Sequence, residues 1–221
     1  IPLDILEGQI DSVLSDIGAD AVKIGMLHSS EVVCLVADML EKHKIRNVVL
    51  DPVMVSTSGH RLIEESAIET MKTRLLPLAR VITPNIPEAE ILSGCRISGE
   101  QDFREVAMRL SREGSLSVFL KAGHLTDEYL SDYFYNAEDG SMTILRSKRV
   151  DTCNTHGTGC TLSSALAAAL AKGENLTDAA VSAKGYLEKA IISGAAYQIG
   201  HGHGPVNHFY LWQRAGEEEI H

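Results

Sequence analysis

The sequence predicts an α/β fold: a mostly parallel central sheet covered by helices on both faces, with an antiparallel hairpin at one edge. Three observations lead there. Short β-branched apolar runs alternate with segments of helical spacing, and parallel strands need crossover connections of that length. One Asp-Gly turn, at Asp139-Gly140, joins two runs with no helix between them. A glycine-bracketed corner, Gly157-Thr158-Gly159, opens directly into an alanine-rich helix.

The elements follow in order. From Asp4 to Ile17, Leu6, Ile10, Val13, Leu14 and Ile17 recur at helical spacing, with Asp4 as the expected N-cap and Gly18 as the stop. Ala21–Met26 reads as a buried strand, and Ser30–His43 returns to helical spacing through Val33, Val36, Ala37 and Leu40. Asn47–Leu50 is a strand ending at Asp51. Beyond it lie a helix over Glu64–Leu75, a strand at Arg80–Thr83, helices at Pro87–Ser93 and Asp102–Glu113, and a strand at Ser117–Lys121. Asp132–Asn136 and Met142–Arg146 form the hairpin. Helices over Thr161–Ala171 and Thr177 to about Ile192 precede a glycine- and histidine-rich tail, where Phe209, Tyr210 and Trp212 are expected to dock onto the domain.

The bulk numbers set limits. A chain of 221 residues with 44% hydrophobic and 23% charged residues has the composition of one globular unit with a sizeable core. A formal net charge of -10 speaks against nucleic-acid and anionic-membrane partners. The four cysteines lack CxxC pairs or a disulfide spacing, so they are expected to be reduced thiols in the cytoplasm, with no zinc site. No apolar run approaches a membrane span, and the start has no secretory pattern.

In an open α/β sheet, ligands bind at the carboxyl ends of the strands. The corner at Gly157, Thr158 and Gly159 places free amide groups at a helix start, which favours an anion such as phosphate. Cys160 follows in the first turn, where thiols are activated, and is a candidate base. The alternative is a plain tight turn and N-cap with Cys160 as a small buried residue. Asp51, turned away by Pro52, is a candidate magnesium ligand projecting from the sheet edge, or a turn cap. Glu88 starts a helix, where dipole compensation alone also favours an acid. Lys121 ends an apolar strand before Ala-Gly and is a candidate phosphate contact, unless its stem packs while its head reaches the rim. His156, four residues before Cys160, also evokes a thiol hydrolase, but side chains flanking a glycine turn diverge and no orienting group follows. His201, His203 and His208 read as a loop closing the fold rather than as a metal site.

Six segments in order carry a family resemblance: VKIGML (22–27), LDPVMVSTSG (50–59), ITPNIPEAE (82–90), KAGH (121–124), NTHGTGC (154–160) and GHGHGPVNHF (200–209). The chain resembles the hydroxymethylpyrimidine and phosphomethylpyrimidine kinases of thiamine biosynthesis, a branch of the ribokinase-like superfamily. The resemblance implies a ribokinase-like three-layer sandwich. It also implies ATP- and Mg2+-dependent phosphorylation of 4-amino-5-hydroxymethyl-2-methylpyrimidine and of its monophosphate, a cytoplasmic location and a homodimer. It makes Gly157, Thr158 and Gly159 the anion hole, Cys160 the residue where most of the superfamily has an aspartate base, and Lys121 the phosphate-contacting lysine. Asn85 and Glu88 match the NxxE element that organises magnesium and phosphates, with Thr155 also on the nucleotide side and Asp51 beside the metal. Met26 and Val53 become walls of the pyrimidine pocket. Family members begin with a Gly-Ser-Asp strand and a flap that do not precede Ile1, so the chain is expected to carry most of the ATP side and part of the substrate pocket. A pyridoxal kinase and a non-catalytic nucleotide or pyrimidine sensor are the rival readings.

Overall fold

The computed structural model describes residues 1–54, 63–112, 117–121 and 128–213. Its centre is one six-stranded sheet in chain order: β1 (Val22–Ile24), β2 (Val48–Leu50), β3 (Val81–Ile82), β4 (Ser117–Leu120), β5 (Tyr129–Asn136) and β6 (Ser141–Lys148). β1 to β4 pair parallel, whereas β5 runs antiparallel to β4 and β6 antiparallel to β5. The parallel strands are shorter than the apolar runs predict, because pairing stops where the chain turns into the next crossover. The hairpin strands are longer, since the turn closed by Gly140 at φ 70° keeps the two chains in register from Tyr129↔Lys148 to Asn136↔Ser141.

Strand order without reversal has a consequence for the layers. Right-handed crossovers stepping in one direction across a sheet place all their helices on the same face. That face is covered by α2 (Ser30–Lys42), α3 (Glu65–Thr70), α4 (Ile86–Ser93) and α5 (Glu100–Arg112), packed over Ile24, Val48, Leu50, Ile82, Val118 and Leu120. The opposite face, made by Val49, Val81, Phe119, Phe134 and Leu145, is left for α6 (Thr158–Ala171) and α7 (Leu176–Gly194), which arrive after the hairpin. Pleating explains how Val48, Val49 and Leu50 serve both cores: neighbours in a strand point to opposite faces.

Several local expectations change in three dimensions. Helix α1 (Leu3–Asp16) starts after Pro2 with no side-chain cap, so Asp4 lies inside its first turn. None of its residues is buried, and Val13 and Ile17 are 51% and 81% exposed, because it meets the rest of the fold mainly along α2. The third helix is regular to Thr70, widens into a π turn at Met71–Leu75, then tightens to a 3-10 turn at Leu76–Leu78 around Pro77. The tail docks less than expected: Tyr210 of α8 (Tyr210–Gln213) packs on Tyr186 at 5.5 Å between ring centres, but Phe209 and Trp212 are largely exposed. The expected end of the fifth helix at Glu113 and the 55–59 and 122–124 parts of two motifs lie outside the described residues. No described helix is long and apolar enough to cross a membrane.

Candidate active site

The carboxyl ends of the parallel strands are laid side by side by hydrogen bonds that continue past the strands. Asp51 N donates to Ile24 O (2.9 Å), Thr83 N to Leu50 O (3.0 Å) and Lys121 N to Pro84 O (2.9 Å). Asn85 and Lys121 form a parallel bridge beyond β3 and β4. Residues distant in sequence therefore share one edge, and the N-terminus of α6 points into it.

That helix begins at Thr158, three residues before the expected Thr161. Gly157 takes φ 85°, a left-handed conformation that favours glycine, and its carbonyl accepts both Thr161 N and Thr161 Oγ1 at 2.8 Å. The closed turn offsets the low helix propensity of Gly159. Thr158 N reaches Thr155 O only at 3.4 Å, and among the described residues the amides of Gly159 and Cys160 have no acceptor. Cys160 is exposed. These are the conditions an anion-binding corner with an accessible thiol requires. Among the described residues no hydrogen bond joins the His156 ring to Cys160. Instead, the backbone of His156 pairs with the tail, donating to Gly204 O at 3.0 Å.

Below the corner sits a charged cluster centred on Asp51. A Cβ built on Gly159 would lie 3.4 Å from Lys121 Nζ and 3.8 Å from Asp51 Oδ2, so lysine and carboxylate both abut the turn. Asp51 Oδ1 accepts from Lys121 Nζ (2.9 Å) and Thr83 Oγ1 (2.9 Å), and Oδ2 accepts from Ser163 Oγ (3.3 Å) with Lys23 Nζ at 4.0 Å. Asp51 is 1% exposed. The expected projection of this carboxylate from the sheet edge is corrected: Pro52 turns the chain away, but the side chain folds inward because two ammonium groups and two hydroxyls await it. Removing one partner of such a buried pair typically costs about 3–5 kcal/mol.

Asn85 and Glu88 form a reciprocal capping box at the start of α4: Glu88 N donates to Asn85 Oδ1 (2.9 Å) and Asn85 N to Glu88 Oε2 (2.8 Å). Burial raises the Glu88 pKa, while the Lys121 charge and backbone donors at Asn85 and Met54 pull it down and the charge of Asp51 adds to the rise. The same residue thus closes a helix cap and belongs electrostatically to the Asp51–Lys121 cluster. Met26, half exposed, and Val53, partly buried, stand just past β1 and β2 on the same edge, with Val53 N bonded to Asp51 O at 2.8 Å. Thr155 is exposed at the approach to the corner.

Residue types alone had not singled out four participants. Lys23, Thr83 and Ser163 hold Asp51. Asn154, 3% exposed, donates from Nδ2 to Gly194 O (2.8 Å) and Tyr197 O (2.7 Å), tying the corner to the end of α7, and a Cβ on Gly204 would overlap its side chain. For Lys23 a signal existed: it is a lysine inside an apolar strand and, like Lys121 at the end of its own, close before a glycine.

The phosphomethylpyrimidine kinase family model matches residues 1–207. The chain belongs to this family. It is 45% identical over 208 residues to the thiamine biosynthesis bifunctional protein of Geobacter sulfurreducens, spanning 94% of this chain but 42% of that protein. It is 42% identical over 213 residues to the hydroxymethylpyrimidine/phosphomethylpyrimidine kinase of Rhizobium meliloti, spanning 96% of this chain and 79% of the relative. Pyridoxal kinase from Bacillus subtilis, solved as an ADP complex, superimposes with a TM-score of 0.86 at 34% identity, covering 96% of this chain and 79% of that one. The fold is the ribokinase-like sandwich, and the closing hairpin is its antiparallel edge.

Proposed function

We propose that the chain transfers the γ-phosphoryl group of ATP to the hydroxymethyl oxygen of 4-amino-5-hydroxymethyl-2-methylpyrimidine, and in a second turnover to the resulting monophosphate. The observation that carries this reading is the pair of unspent amides at Gly159 and Cys160, in a turn that Lys121 abuts at Gly159. Phosphoryl transfer asks a protein mainly for alignment and charge neutralisation. The amides of the α6 corner and the Lys121 ammonium supply fixed positive potential where charge gathers on the migrating group. Cys160, as the thiolate, accepts the hydroxyl proton and becomes the thiol as the oxygen attacks the γ-phosphorus and ADP leaves; the residue is exposed. Met26 and Val53 flank the ring.

The donor set fits magnesium held largely by substrate phosphates and water, the usual pattern for this ion. Asp51 and Glu88 are close enough for one to perturb the proton affinity of the other, and no caging group of three or more His, Cys, Asp or Glu occurs among the described residues. Glu88 is the carboxylate we assign to the ion, while Asp51, already engaged, orients Lys121. When bound, Mg2+ screens the phosphate charge. Asn85 and Thr155 complete the nucleotide side. A cytoplasmic location, supported by four free cysteines, and a homodimer belong to the same proposal.

The test is a transfer assay on the natural protein with ATP, Mg2+ and either the free pyrimidine or its monophosphate, with products read by mass. Products carrying one and two added phosphoryl groups are expected. The likeness to pyridoxal kinase warrants one competitor, so kcat/KM is measured for both rings. A higher value for pyridoxal reassigns the substrate, and binding of either ring without ATP consumption makes the chain a sensor.

A further inference from the structure

The Asp51 cluster holds a charge that the proposed chemistry has not yet used. Lys23 lies on β1, opposite Val49 of β2, and its ammonium reaches the Oδ2 side of Asp51 at 4.0 Å while Lys121 occupies the Oδ1 side at 2.9 Å. Both lysine side chains are mostly buried, with 20% and 18% exposure. Gly25 leaves room beside this ammonium: a Cβ there would stand 3.1 Å from Lys23 Nζ and push it by a few tenths of an ångström. A single lysine on Asp51 would form a neutral pair and, with the Glu88 carboxylate in the same cluster, leave the corner a net negative charge that repels an anion. The second lysine offsets that charge beside Gly159. Its ammonium stands in a poorly screened setting where a fixed charge acts strongly.

We propose that Lys23 is a positioning residue for phosphoryl transfer: it shares Asp51 with Lys121, and so leaves Lys121 free to attract an anion at the α6 corner rather than being neutralised by its own carboxylate. The inference rests on the kinase reading above. Thr83 Oγ1 holds the carboxylate at 2.9 Å, and Ser163 Oγ, which also reaches Gly159 O at 3.0 Å, lies 3.3 Å from it, so what Lys23 adds is charge.

The experiment uses three variants of the natural protein, Lys23→Met, Lys23→Arg and Gly25→Ala, assayed for kcat, for KM of ATP and of the pyrimidine, and for Tm. Lys23→Met is expected to lower kcat about tenfold and raise the KM of ATP while the pyrimidine KM changes less than about twofold, with most of the kcat restored by Lys23→Arg. Gly25→Ala keeps the charge but displaces the ammonium, and is expected to reduce kcat by a smaller factor in the same direction. Unchanged kcat and ATP KM in Lys23→Met overturns the role of Lys23 and leaves the kinase reading standing. If Lys23→Met merely lowers Tm and Gly25→Ala turns over like wild type, Lys23 is structural and the proposal fails. A wild-type protein that phosphorylates neither ring removes the kinase reading itself, and this inference with it.

Discussion

Replacing Gly159 by alanine pulls the stability of the α6 corner apart from its chemistry. Gly159 is the second residue of the helix and does not occupy a left-handed conformation. The added methyl would sit 3.4 Å from Lys121 Nζ and 3.8 Å from Asp51 Oδ2, ordinary van der Waals contact, so the folded state accommodates it. Alanine is favoured over glycine in helices by up to about 1 kcal/mol, so stability should hold or rise slightly. The methyl, however, occupies the space through which an anion would approach the amides of residues 159 and 160. Losing an oxyanion-hole donor typically costs about 10²–10³ in kcat, and blocking the approach should cost at least as much. Gly157→Ala is the control: at φ 85° it strains the backbone by about 1–2 kcal/mol and should lose stability as well as rate. Denaturant midpoints beside steady-state phosphoryl transfer measure both. A Gly159→Ala protein of wild-type kcat would refute the reasoning, because the corner would then hold no reacting anion.

Other expectations follow from the same geometry. Cys160→Ala should lower kcat by about 10²–10⁴ with a much smaller rise in the pyrimidine KM; an unchanged kcat in steady-state assays takes the thiol out of the chemistry. For Glu88, burial raises the folded-state pKa, so the folded protein binds the proton more tightly than the unfolded chain and wild type loses stability as pH rises through the folded pKa. Thermal melts across acid to neutral pH should therefore show Glu88→Gln gaining on wild type as pH rises, with transfer activity lost; parallel Tm curves would contradict the burial argument. Asn154→Ala removes one amide donor from each of the carbonyls of Gly194 and Tyr197 and should destabilise the protein by about 1–3 kcal/mol, loosening residues 200–205 in hydrogen exchange. Unaltered exchange there would show that the tail is held by other contacts.

Much of the fold was legible because its signals are local. The alternation of apolar runs and helical spacing reflects which faces must be buried, and the Asp139-Gly140 turn needs only its own two residues. The capping box at Asn85 and Glu88 and the corner at Gly157 are equally local. Legibility failed where a partner is remote. Asp4 was outcompeted as a cap by the earlier start of α1, and the exposure of Val13 and Ile17 depends on what packs beside α1. Asp51 read as an outward carboxylate because nothing within reach along the chain shows that Lys23, Thr83, Lys121 and Ser163 converge on it.

What the sequence by itself determined is the kind of layer structure, the positions of the strand ends and the glycine corner with its thiol, since propensity, periodicity and backbone freedom act over a few residues. Tertiary structure alone decided that the strands stand in unreversed order, that α6 and α7 close the second face, and that one buried carboxylate is shared by two lysines from different strands. Those facts arise from pairing and desolvation between segments far apart in the chain, and only folding brings such groups close enough for their charges to act on one another.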